Sequence, residues 1–137
     1  MKKLIAAFVF TLITHGVYAA CPVNLDGNYI LSARKTTMFG GLDNVTYVVA
    51  IANITGSSLK YIKMFKAESN NGQPATEVTH DEVPVYYDNS TCTGYLEDTS
   101  NPHYFVVSDS GKVIKGLSGT EPGSLYPVAS ELELIKQ

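Results

Sequence analysis

The chain has 137 residues, with 10 Lys+Arg against 13 Asp+Glu, two cysteines and no tryptophan. A formal charge of −3 provides no electrostatic footprint for nucleic acid or for an anionic lipid surface, both of which call for a basic face. Its one long apolar run, Leu4 to Ile13, is shorter than the roughly 20 residues a helix needs to span a bilayer, so no membrane span is predicted.

That run follows Met1-Lys2-Lys3 and leads to Val17-Tyr18-Ala19-Ala20. Charge, apolar stretch and small residues at a cleavage site are the order of a secretory signal peptide, predicted over residues 1–20. The expected address is therefore periplasmic or extracellular, and residues 21–137 are expected to form one antiparallel β domain. That part keeps 8 Lys+Arg against 13 Asp+Glu, a formal charge of −5. In an oxidising compartment Cys21 and Cys92 are most simply joined as a disulfide. The alternative makes Cys21 the lipid-bearing residue of a bacterial lipoprotein. Tyr18 then stands where an aliphatic residue is expected, and Cys92 is left as a free thiol.

Along the chain the pattern is strand and turn. Tyr29–Ala33 reads as a short strand, and Phe39-Gly40-Gly41-Leu42-Asp43-Asn44 as a loop of turn formers. Val45–Ile54 is the strongest strand: Val45, Tyr47, Val49 and Ile51 alternate onto one face, and the other is also largely apolar. Leu59–Glu68 fits two periods. As a helix it gathers Tyr61, Ile62, Met64 and Phe65 on one arc opposite Lys60, Lys63 and Lys66. As a strand it sets Leu59, Tyr61 and Phe65 on one face with Lys63 intruding. The surrounding strands favour the strand. Short strands follow at Thr76–Thr79, Val83–Tyr87 and Thr91–Glu97. A hairpin is predicted from Tyr104–Val107 through Asp109-Ser110-Gly111 to Lys112–Ile114. Gly116–Pro127 reads as loop, and a last strand holds Leu132, Leu134 and Ile135. Many short strands with regular turns predict an all-β antiparallel sandwich or barrel.

Tyr86-Tyr87-Asp88-Asn89-Ser90-Thr91-Cys92-Thr93-Gly94-Tyr95-Leu96 resembles the "tyrosine, acidic stretch, Cys-Thr-Gly-x-Leu" segment of a group of small secreted bacterial β-proteins. Leu25-Asp26-Gly27-Asn28-Tyr29 is similar to that group's first strand, and Tyr104–Lys112 to its later hairpin. The resemblance implies a small antiparallel calycin-like barrel of the kind seen in lipocalins and avidins, built from about eight strands. The β-sandwich remains the alternative.

No residue pattern points to catalysis. Thr79-His80-Asp81-Glu82 is the most suggestive cluster, and only His80 and Glu82 share a face of an extended chain. A metal site there would need a ligand brought in by the fold, with His103 the other histidine after residue 20. A solvated polar turn is the simpler reading. No G-x-S-x-G stretch and no phosphate-binding glycine loop occurs, so no enzyme activity and no cofactor is predicted. The aromatic side chains Tyr29, Tyr47, Tyr61, Phe65 and Tyr104 are instead candidates to line a barrel cavity. Such a cavity would hold a small apolar or amphipathic ligand, with the loops Phe39–Asn44 and Gly116–Gly123 framing its mouth. The alternative is an envelope-associated interaction protein that uses an outer face, either the Lys60-Lys63-Lys66 edge or the Tyr86-Tyr87 pair.

Overall fold

The structure is a computed structural model that describes residues 20–39, 42–69, 72–97, 102–119 and 128–137. Residues 1–19 of the predicted signal segment lie outside them. All regular structure among the described residues is β. The strands are β1 (Gly27–Phe39), β2 (Leu42–Thr55), β3 (Ser58–Glu68), β4 (Thr76–Val78), β5 (Val83–Asp88), β6 (Thr93–Leu96), β7 (His103–Val107), β8 (Val113–Gly119) and β9 (Val128–Lys136). Every pairing is antiparallel, in the order β2-β1-β9-β8-β7-β6-β5-β3. The β2–β3 pairing then joins the two ends of this order. The result is a closed eight-stranded antiparallel barrel, with β4 attached to β3 outside the ring. Closure rules out the sandwich alternative and removes the unpaired edges that an open sheet would expose.

The period-2 alternation of the strands sorts their side chains. Tyr29 and Leu31 of β1, Ala50, Ala52 and Ile54 of β2, and Leu132 and Leu134 of β9 point inward and are sealed from solvent. They join Leu59, Val85, Leu96, Phe105 and Ile114 in one hydrophobic core. Large residues stand beside small ones across the strands: Tyr29 pairs with Ala52, Leu31 with Ala50, and Phe105 lies between Gly94 and Gly116. A Cβ at Gly94 would collide with the Tyr86 carbonyl and the Phe105 ring, so glycine there makes room for the phenyl group. Each fully buried Leu, Ile, Val or Phe side chain contributes roughly 1.5–3 kcal/mol of transfer free energy.

One end of the barrel is closed by the N-terminal segment. Leu25 is buried, and the Tyr29 hydroxyl donates to its carbonyl at 2.6 Å. The Tyr87 hydroxyl donates to the Pro22 carbonyl at 3.0 Å. Cys21 and Cys92 form a disulfide with their Cα atoms 5.2 Å apart. Cys92 takes a left-handed φ of 56°, a conformation that costs a non-glycine residue roughly 1–2 kcal/mol. The lipid-bearing alternative for Cys21 required Cys92 to be a free thiol, and no free cysteine occurs among the described residues.

The structure corrects three expectations. Phe39 and Leu42–Asn44 are strand residues, not loop, because β1 and β2 pair without interruption from Gly27↔Ile54 to Phe39↔Leu42. Gly116–Gly119 likewise belongs to β8, paired with β9. Leu59–Glu68 is the predicted strand, with Leu59 and Tyr61 on one face as expected, but Phe65 does not join them. Ile51 pairs with Lys63 and Ala52 with Tyr61, so Ile62 is an extra residue in a β-bulge. The bulge resets the alternation, and Met64 rather than Phe65 enters the core.

Candidate binding cleft on the outer face

The same alternation that fills the core sends the intervening residues outward. Following the register across the barrel, Tyr86 of β5 lies opposite Tyr95 of β6, which lies opposite Tyr104 of β7. Tyr104 is next to Leu117 of β8, then come Glu131 of β9, Arg34 of β1 and Tyr47 of β2. A parallel row runs Thr93, Val106, Lys115, Glu133, Ser32 and Val49. These two rows border an open cleft of about 1440 Å³. Between the two rows the lining takes in Val85, Phe105 and Leu132 of the core, whereas Tyr29, Leu31, Ala50, Ile114 and Leu134 take no part in it. The alternation places both rows on the outer face of the sheet, where Tyr104 is 64% exposed and Leu117 67%.

Its apolar side is an aromatic ladder. Tyr86 and Tyr95 stack at 4.5 Å between ring centroids, and Tyr95 meets Tyr104 at 5.9 Å in a tilted arrangement. Cross-strand aromatic pairs of this kind contribute about 0.2–1 kcal/mol each and hold one another's rotamers. The Tyr86 hydroxyl donates to Glu97 Oε2 at 3.1 Å. That hydrogen bond, followed by the charge of the same carboxylate, raises the Tyr86 pKa above its ordinary value. Its polar side is two cross-strand ion pairs, Lys115–Glu133 at 3.1 Å and Arg34–Glu131 at 3.9 Å. Asp88 also lines the cleft, so two cations face three carboxylates and the lining carries a formal charge of −1.

Of the aromatic residues expected to line a cavity, Tyr47 and Tyr104 border this cleft. Tyr29 is wholly buried in the core. Tyr61 is half-buried against the His80 ring, with centroids 5.0 Å apart. Phe65, turned outward by the bulge, sits under Lys63 Nζ at 5.2 Å. Leu117 and the two ion pairs carried no signal in the sequence, because they join Tyr95 and Tyr104 only through the cross-strand register. The Tyr86-Tyr87 pair divides: Tyr86 joins the ladder, and Tyr87 is tied to Pro22.

The polar candidates are engaged separately. His80 Nδ1 lies 2.9 Å from the Asp81 carbonyl. Glu82 accepts from the Ser58 hydroxyl at 3.0 Å and pairs with Lys60 at 3.8 Å. His103 Nε2 is 2.7 Å from Ser130 Oγ in a half-buried contact. Among the described residues no group of three or more His, Cys, Asp or Glu is placed to hold a metal ion. The lysine edge is also broken up: Lys63 pairs with Glu77 at 3.6 Å and Lys66 with Glu68 at 2.6 Å. No helix among the described residues is long and apolar enough to cross a membrane.

Comparison of the chain with known protein families, curated proteins and solved structures finds no match.

Proposed function

We propose that this is a secreted, non-catalytic binding protein that holds its ligand in the outer-face cleft and not in the barrel lumen. One observation carries the reading: the lumen is occupied by a packed core, while an aromatic, largely apolar concavity of about 1440 Å³ stands open on the opposite face. Pockets of small-molecule binding proteins are mostly apolar with a few placed polar groups, which matches tyrosine hydroxyls and two ion pairs around a tyrosine ladder. The Cys21–Cys92 disulfide is a bond of oxidising compartments, and the charge-then-apolar pattern of residues 1–20 supports export through a cleaved signal peptide to the periplasm or beyond.

A second reading, an envelope-associated interaction surface, rests on the continuation of apolar side chains past the cleft. Ile135, Ile30 and Ile51 are cross-strand neighbours on the outer face, and all three are about half exposed. Native mass spectrometry of the protein isolated from its own compartment separates these readings. We expect a non-covalent small-molecule adduct on the wild type that is lost from a Tyr104→Ala/Leu117→Ala variant. An adduct that survives in that variant would return the ligand to the lumen. A protein adduct in place of a small molecule would favour the interaction surface.

A further inference from the structure

Building on the cleft as the binding site, we infer that its ligand is a neutral oligosaccharide. The argument proceeds by the chemistry of the floor and walls. A purely apolar guest, such as an acyl chain, would bury Lys115–Glu133 and Arg34–Glu131 without meeting their remaining hydrogen-bonding capacity, which is costly. An anionic guest finds no net positive charge there, since each cation already faces a carboxylate, and the chain after residue 20 carries a formal −5. A peptide adding as a strand finds only a short edge: β6 through β9, β1 and β2 are paired on both sides within the ring, and β5, which meets β3 only at Val83 and Pro84, is open on one side over Tyr86–Asp88 alone. A peptide laid on the face of such a sheet would leave its backbone N–H and C=O groups without partners.

A sugar chain meets each condition. Its C–H faces lie against aromatic rings, and its hydroxyls both donate and accept. Carboxylates and a guanidinium take those hydroxyls in strong, often paired hydrogen bonds without needing a counter-charge. Tyr104 and Tyr47 offer exposed ring surface on either side of the ion-paired floor, and Tyr95 supports Tyr104 from behind. The cleft, about 1440 Å³, is larger than the roughly 300–1,000 Å³ of a drug-sized site, so it suits several sugar units more than one.

The test is an amide NMR titration of the disulfide-bonded protein. The probes are cellohexaose, maltohexaose, chitohexaose, dodecanoate and a neutral apolar decapeptide. We expect at least one hexasaccharide to shift the amides of Tyr86, Tyr95, Tyr104 and Leu117 in a saturable way. Tyr104→Ala and Arg34→Ala should each weaken that binding about tenfold or more. Ile30→Ala, on the outer face but outside the cleft, should leave it unchanged. Circular dichroism of each variant confirms that it is folded. If dodecanoate or the peptide shifts the cleft amides and no hexasaccharide does, the glycan inference is overturned while the cleft remains the binding site. If a hexasaccharide binds elsewhere, or no probe moves these amides, the glycan inference and the cleft reading both fall.

Discussion

Phe105 and its neighbours Tyr104 and Val106 are one residue apart and meet opposite fates. Phe105 points inward, is sealed from solvent and lies between two glycines. Tyr104 and Val106 point outward and stay more than half exposed. Hydrophobicity does not separate these positions; the face of the strand does. On the inner face Phe105, Leu31 and Tyr29 are matched by Gly94, Gly116, Ala50 or Ala52, and Leu134 packs between Leu31 and Ile114, so that all of them are sealed inside the ring. On the outer face large stands beside large, from Tyr86 through Tyr95 and Tyr104 to Leu117, with nothing over them. A face built in this second way exposes apolar area that the fold does not use, and such area marks a site of contact.

The sharpest way to break this comparison is to truncate the inner aromatic residue. Phe105→Ala is expected to destabilise the barrel by about 3–5 kcal/mol, read as a lower urea midpoint with an unchanged slope. A loss below about 1 kcal/mol would mean that the core is not sealed as described. Next in size is the N-terminal closure. The double change Cys21→Ala/Cys92→Ala releases a link between residues 71 apart, and roughly 2–4 kcal/mol of stability should go with it. Thermal unfolding with and without reductant checks this independently, since reductant should lower the wild type and leave the variant unmoved.

A third expectation concerns the two tyrosines at that closed end. Burial raises the pKa of Tyr29 above its ordinary value, with the charge of Asp26 adding to it, and burial followed by Asp88 does the same for Tyr87. A raised folded-state pKa means that the protonated phenol is favoured by folding. The resulting stability is fully present below the unfolded value of about 10 and is lost as pH rises through the folded value. Phenolate absorbance and unfolding followed together in an alkaline titration should show a late ionising fraction that appears with loss of structure. Tyr29→Phe should shrink the stability change over that window, at the cost of its hydrogen bond to Leu25. The smallest expected effect is on the outer face: Leu117→Ala should alter stability by no more than about 0.5 kcal/mol. A large destabilisation there would show that the outer row supports the barrel and is not held ready for a partner.

The division of the strands into two faces was legible in the sequence, but not which face is inner: Tyr47 and Tyr104, expected to line a barrel cavity, point outward. The alternation in Val45–Ile54 separates Val45, Tyr47, Val49 and Ile51 from Val48, Ala50, Ala52 and Ile54, and the structure keeps that division. The Phe65 error shows the limit. A bulge is one unpaired residue, and nothing local to Tyr61-Ile62-Lys63 distinguishes the residue that will lack a partner. The cleft was less legible still. Tyr86, Tyr95, Tyr104, Leu117, Glu131, Arg34 and Tyr47 come from seven strands, and their adjacency depends on the register of six pairings.

By itself, then, the sequence determined the β class and the two cysteines that meet at the closed end, and for the lysine-rich segment it favoured a strand over a helix without deciding between them. These follow from period-2 alternation, turn residues and an even cysteine count, which are properties of neighbours in the chain. Only the tertiary structure decided which face is sealed, where the bulge turns Phe65 outward, and that Tyr86, Tyr95, Tyr104 and Tyr47 share one outer row. Those outcomes depend on closure of the ring and on what stands opposite each side chain, and the partner across a strand is set by the whole fold.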